Sequence, residues 1–169
     1  ADGFGTMTFH GLAVQASTVE KLFNVNISGG GGFVGVAGGI GVEIMNGKTY
    51  AFIGDNALIN TDRTGILPHA QSVNVAAVDY AKAFALAGGL AGGFVGVAGA
   101  VDVGILENTE FAWIGANAEV HASGDVDVYA LSKKDVTTLA ISVGGGFVGV
   151  AGSVSVWTIG ADSNATYDD

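Results

Sequence analysis

Downstream of Phe33 the chain alternates with a period of two. Val34, Val36, Ile40, Val42 and Ile44 fall on one parity, and Gly35, Ala37, Gly39, Gly41 and Glu43 on the other. The pattern returns after Phe94, with Val95, Val97, Val101, Val103 and Ile105 against Gly96, Ala98, Ala100, Asp102 and Gly104. It returns again after Phe147, with Val148, Val150, Val154 and Val156 against Gly149, Ala151, Ser153, Ser155 and Trp157. Alternation of this kind is that of a long β-strand with one face buried. The β-branched face is predicted to point inward, leaving the small-residue face outside. Gly38, Gly99 and Gly152 interrupt the aliphatic row at one place in each stretch, as a bend or a close backbone approach would require. Shorter β-like runs are predicted at Leu22–Ser28, Thr49–Gly54, Ala57–Asn60, Ala118–Ala122, Asp125–Leu131 and Thr137–Val143, each bounded by Gly, Asn, Asp or Ser.

These stretches belong to a larger repeat. Gly-Gly-Phe-Val-Gly-Val-Ala-Gly occurs at Gly31–Gly38, Gly92–Gly99 and Gly145–Gly152, its Phe recurring at spacings of 61 and 53. Upstream, Leu12-x-Val14-x-Ala16, Val73-x-Val75-x-Ala77 and Val126-x-Val128-x-Ala130 keep one distance from that Phe. Downstream, Tyr50–Ala57 matches Phe111–Ala118. The shorter second spacing leaves extra residues in Thr61–Gln71, which holds the lone Pro68 and is predicted as a loop. The copies span about 12–72, 73–125 and 126–169 within a single unit, 1–169. Aligned anchors within a copy recur at intervals of about 20. Repeats whose units each carry an incomplete core predict an all-β parallel β-helix (β-solenoid) of about 20-residue coils in three repeat units, like residues falling into ladders.

Composition narrows the class. Gly is 29 of 169 residues, charged residues are 13% and hydrophobic residues 49%, which excludes a disordered chain. A single proline excludes collagen, and the absence of cysteine excludes disulfides and thiolate chemistry. A net charge of −10 argues against nucleic acid and anionic membrane as partners. Lys82 and Asp102 bracket 19 uncharged residues, long enough for a membrane helix, but six glycines within Ala83–Val101 would each cost a helix about 1 kcal/mol. No transmembrane segment is predicted. The start at Ala1, without an initiator Met or a signal-peptide pattern, reads as an internal or processed piece of a longer protein.

The sequence assigns no catalytic, cofactor or metal residue. His10, His69 and His121 have no metal-ligand spacing, and no Gly-x-Ser-x-Gly elbow is present. The glycine run Gly29–Gly32 lacks the following Lys and helix of a phosphate loop. Gly38-Gly39-Ile40-Gly41-Val42-Glu43 approaches a calcium-binding repeat with Glu for Asp; because the acid does not recur at that register in the other copies, calcium stands only as the lesser alternative to no cofactor. The candidate interaction or packing ladder is Phe33, Phe94 and Phe147 with Gly35, Gly96 and Gly149. It can pack at a corner of the core, or offer a flat face to a second layer or a second copy.

Gly96–Val103, Glu107-Asn108-Thr109 and Ala112–Val120 resemble the repeats of large secreted bacterial filamentous haemagglutinin-like adhesins, especially the fusobacterial leukotoxin type. The resemblance implies a right-handed β-helix, export, and an extracellular or bacterial cell-surface location. The function expected is a non-catalytic structural or adhesive rod segment. Its partners would be further copies, joined end-to-end or laterally, and a host or neighbouring-cell surface. A self-assembling extracellular filament is the alternative, and a carbohydrate-active β-helix enzyme a lesser one.

Overall fold

A computed structural model describes residues 10–61 and 71–160. The predicted loop around Pro68, together with His69, lies outside the described residues, as does the end of the third copy from residue 161. The described chain contains strands and no helix: β1 (Gly11–Ile53), β2 (Leu58–Ile59), β3 (Ser72–Ile114), β4 (Glu119–Val120), β5 (Val126–Gly145) and β6 (Val148–Ile159). β1, β3 and β5 follow one another in one sheet, β6 also pairs with β3, and β2 pairs with β4 in a second.

The pairing confirms parallel strands and fixes their spacing in sequence. Val95–Leu106 of β3 lies beside Val148–Ile159 of β6, parallel and in register, and Leu58 lies beside Glu119. Hydrogen-bonded neighbours are thus equivalent residues of successive copies, 53 or 61 apart. The interval of about 20 separates segments within one copy, so it is not the stacking repeat expected from the sequence. The reason is strand length: β1 and β3 each run for 43 residues and double back within themselves at the glycines of the octapeptide, so a return to the same register takes a whole copy.

The chain divides into two compact units, each drawing segments from all three copies. In the first (1–20, 47–81 and 108–134), Ala51, Ile53, Val73, Val75 and Ala77 form a buried cluster against Leu12, Val14, Ala16, Ile59, Ile114 and Val120. The aliphatic triads of the first two copies therefore point inward here. Turns at Asp55-Asn56 and Ala116-Asn117 place both asparagines at φ 56°, a left-handed conformation that Asn tolerates better than most residues. The two turns stack: Asn56 N donates to Ala116 O at 2.9 Å, and Asp55 Oδ1 accepts from Ala116 N at 2.8 Å.

The second unit (21–46, 82–107 and 135–169) reverses the expected faces. Ala37, Ala91 and Ala98 make its buried apolar cluster, while Val36, Ile40, Val42 and Ile44 are more than 60% exposed. Here β1 doubles back on itself, bringing Asn24 to Glu43 and Gly30 to Val36. The facing backbones lie too close for anything larger than a small residue. A Cβ on Gly35 would sit 2.4 Å from Gly92 O, one on Gly39 2.4 Å from Gly88 O, and one on Gly96 2.5 Å from Gly145 O. Valine and isoleucine are excluded from such a narrow interior by shape, which outweighs their preference for burial.

Candidate functional site

The reversal at the octapeptides produces the most regular surface of the second unit. Gly32 and Gly146, at φ 132° and 144°, occupy the left-handed region, and a Cβ on Gly146 would lie 2.0 Å from Gly93 O. Only glycine supplies both the φ and the clearance. The turn throws the following Phe outward. Phe33 and Phe94 stack with centroids 5.1 Å apart, and Phe94 and Phe147 with centroids 5.2 Å apart, their planes within 7° of parallel. The end rings, Phe33 and Phe147, are 77% and 82% exposed, so the aromatic ladder is a surface feature and not a core corner.

The six residues singled out in the sequence therefore divide into two roles. Phe33, Phe94 and Phe147 form an exposed, continuous stack. Gly35, Gly96 and Gly149 lie behind it, where a Cβ on each would meet backbone oxygen at 2.4–2.5 Å. The glycines hold the reversal closed; Gly35 and Gly96 are buried there, whereas Gly149, in the third copy, is exposed. Beside the stack, the outward rows of β1, β3 and β6 carry Val34, Val36, Ile40, Val97, Val101, Val150 and Val154, all exposed. Contiguous exposed apolar surface of this kind marks an interaction site.

Polar chemistry is concentrated on the inward rows, in each unit separately. In the first unit Asn108 Nδ2 donates to Glu20 Oε2 at 2.9 Å and to Asp79 Oδ2 at 2.7 Å, and its Oδ1 accepts from Gly47 N at 3.3 Å. In the second unit Glu43 and Asp102 are 3% and 0% exposed. Asn24 Nδ2 donates to Glu43 Oε1. Asp102 Oδ2 accepts from Ser155 Oγ at 2.9 Å and from Trp157 Nε1 at 2.8 Å. Gly104 makes room for that indole, whose ring carbon would lie 2.2 Å from a Cβ there. Sequence reasoning missed this acid pair because it looked for an acid recurring at one register, whereas Glu43 and Asp102 belong to neighbouring positions of adjacent copies.

Two glutamates titrate above the ordinary value of 4.5. Burial is the main cause for Glu43; the Asn24 hydrogen bond opposes it and Asp102 adds to it. Burial also leads for Glu110, opposed by Ser132 and Lys134 and reinforced by Asp79. A carboxyl whose folded pKa lies above its unfolded one gives stability that is full below the unfolded pKa and is lost as pH rises through the folded pKa. Melting temperature is therefore expected to rise as pH is lowered from 7 toward the ordinary carboxylate range, and Glu43→Gln should flatten part of that rise. A melting temperature that falls over that interval in a pH series would contradict the assignment.

Among the described residues no group of three or more His, Asp or Glu side chains is placed to hold a metal, and no helix is long and apolar enough to cross a membrane. No protein family, curated protein or solved structure matches the chain.

Proposed function

We propose that the chain is a non-catalytic structural segment of a secreted or cell-surface bacterial rod, a right-handed parallel β-helix (β-solenoid) in which further copies continue the stack. One observation carries this reading: the third copy presents an uncovered interior row. Ala98 in the middle copy is buried, whereas its registered neighbour Ala151 is exposed, as are Ser153 and Ser155. Among the described residues no strand pairs with the far edge of β6. An open edge whose inward row already has the right shape is a template for another copy, from the same chain or from a second molecule. The repeat resemblance to haemagglutinin-like adhesins supports an extracellular place and an adhesive role toward host or neighbouring cells.

A self-assembling filament is the second reading, favoured by the exposed Val/Ile rows and the aromatic stack, which give lateral as well as end-to-end contact. Sedimentation over a wide concentration range tests both. The weight-average mass is expected to rise with concentration. Replacing Phe33, Phe94 and Phe147 together by serine should reduce that rise if lateral contact contributes and leave it unchanged if only the ends join. A monomer at every concentration would overturn homotypic assembly.

A further inference from the structure

The second unit holds a buried site that the structural role leaves unexplained. Gly41 faces the gap between the two acids of the inward rows. The point where its Cβ would be lies 2.9 Å from Glu43 Oε1, 2.9 Å from Asp102 Oδ1 and 3.3 Å from Asn26 Nδ2. Two carboxylates from different copies thus converge on one small space that exists only because residue 41 has no side chain. Asp102 Oδ1, which faces this space, has no hydrogen-bond partner, and neither has Glu43 Oε2, although both residues are more than nine-tenths buried. Leaving a buried carboxylate oxygen unpaired costs more than almost any other local defect, so a native site of this kind is completed by something positive.

The surroundings are selective. The three atoms nearest the Gly41 Cβ position belong to two carboxylates and a carboxamide, and the side chains hydrogen-bonded to the pair, Asn24, Ser155 and Trp157, carry no positive charge. Asn26 Nδ2 donates to Asn24 Oδ1 at 3.0 Å, and Asn24 in turn binds Glu43; rotating the Asn26 amide about its last bond would bring its oxygen to the same space. An all-oxygen donor set with two negative charges suits a hard divalent cation of the calcium class and offers nothing to softer metals.

We propose that Gly41, Glu43 and Asp102, with the amides of Asn24 and Asn26, form a calcium-class cation site joining the first copy to the second. Glu43 and Asp102 supply the charge, and the missing Cβ of Gly41 supplies the volume. Trp157 and Ser155 occupy the other oxygen of Asp102, so the third copy clamps that carboxylate and leaves Oδ1 turned to the gap.

Trp157 also provides the readout, because its Nε1 donates to the carboxylate that would bind the ion. The experiment uses the whole chain carrying Trp113→Phe, so that Trp157 is its only indole. Calcium chloride is titrated into chelator-treated protein at neutral pH, with magnesium chloride as comparison. A saturable change in Trp157 emission is expected, with a melting temperature raised by about 5–10 °C when calcium is about a hundredfold above its Kd. Glu43→Gln should weaken binding at least about tenfold. Gly41→Ala, which meets only movable side-chain ends, should fold and abolish the response. No saturable change in the parent would overturn the proposal, as would a response that survives both substitutions. An emission change that follows pH but not calcium would overturn it too, and would make a shared proton the occupant.

Discussion

Ala98→Asp is expected to lower stability by at least about 3 kcal/mol, whereas Val97→Asp on the preceding residue should cost no more than about 1 kcal/mol. Ala98 is 4% exposed and belongs to the cluster with Ala37 and Ala91, where a carboxylate would have neither water nor a cation. Val97 is 39% exposed on the outward row, and its loss removes side-chain contact along the sheet, that with Val150 included. Ordinary expectation runs the other way, since valine is the residue a strand normally buries. Chemical denaturation of both variants decides the matter. If Val97→Asp proves the more damaging, the inward and outward rows have been exchanged.

Gly96→Ala should destabilise by about 1–3 kcal/mol even though it adds one methyl group. That methyl would lie 2.5 Å from Gly145 O and 3.1 Å from Ala91 O. Both are backbone atoms, so relief requires moving strands and not a side chain. Gly38→Ala is the natural control, because nothing lies within 4 Å of its Cβ position; it should be neutral or slightly stabilising through the unfolded chain's lost freedom. Equal midpoints for the two variants would show that the facing backbones are not in close approach at Gly96.

Much of this arrangement was legible in the sequence, and the parts that were not have a common cause. The spacing of Phe94 and Phe147 is the register of β3 with β6, and the alternation after Phe33 and Phe94 is the alternation of exposure. What the alternation could not reveal was its sense. Hydrophobicity alone sends Val34 and Ile40 inward, but the interior of the second unit is set by backbone approach at Gly35, Gly39 and Gly96. The glycines carried that message, since a row of Gly and Ala opposite a row of Val and Ile fits a gap too narrow for the latter. In the first unit, where Val73, Val75 and Ile53 meet, the usual rule holds. The length of the stacking repeat was hidden for a related reason. Anchors about 20 residues apart are the two limbs of one doubled-back strand and its turn, and a list of intervals does not distinguish limbs from layers. The acid pair was visible only as two unrelated acids on the small-residue row. Glu43 and Asp102 become neighbours through the register and the vacancy at Gly41, neither of which a single copy displays.

Short-range distance between spin labels tests the central claim, that equivalent residues of successive copies lie side by side. Val101 and Val154 are registered neighbours and both exposed, so cysteines can be placed there in a chain that has none of its own. Adjacent strands lie about 4.8 Å apart. Labels on Val101→Cys/Val154→Cys are therefore expected to give strong dipolar broadening in the electron paramagnetic resonance spectrum. The comparison pair, Val101→Cys with Val148→Cys, lies on the same two strands but six residues out of register, and should show far weaker broadening. Broadening in the second pair and its absence in the first would mean that the in-register alignment of whole copies is wrong.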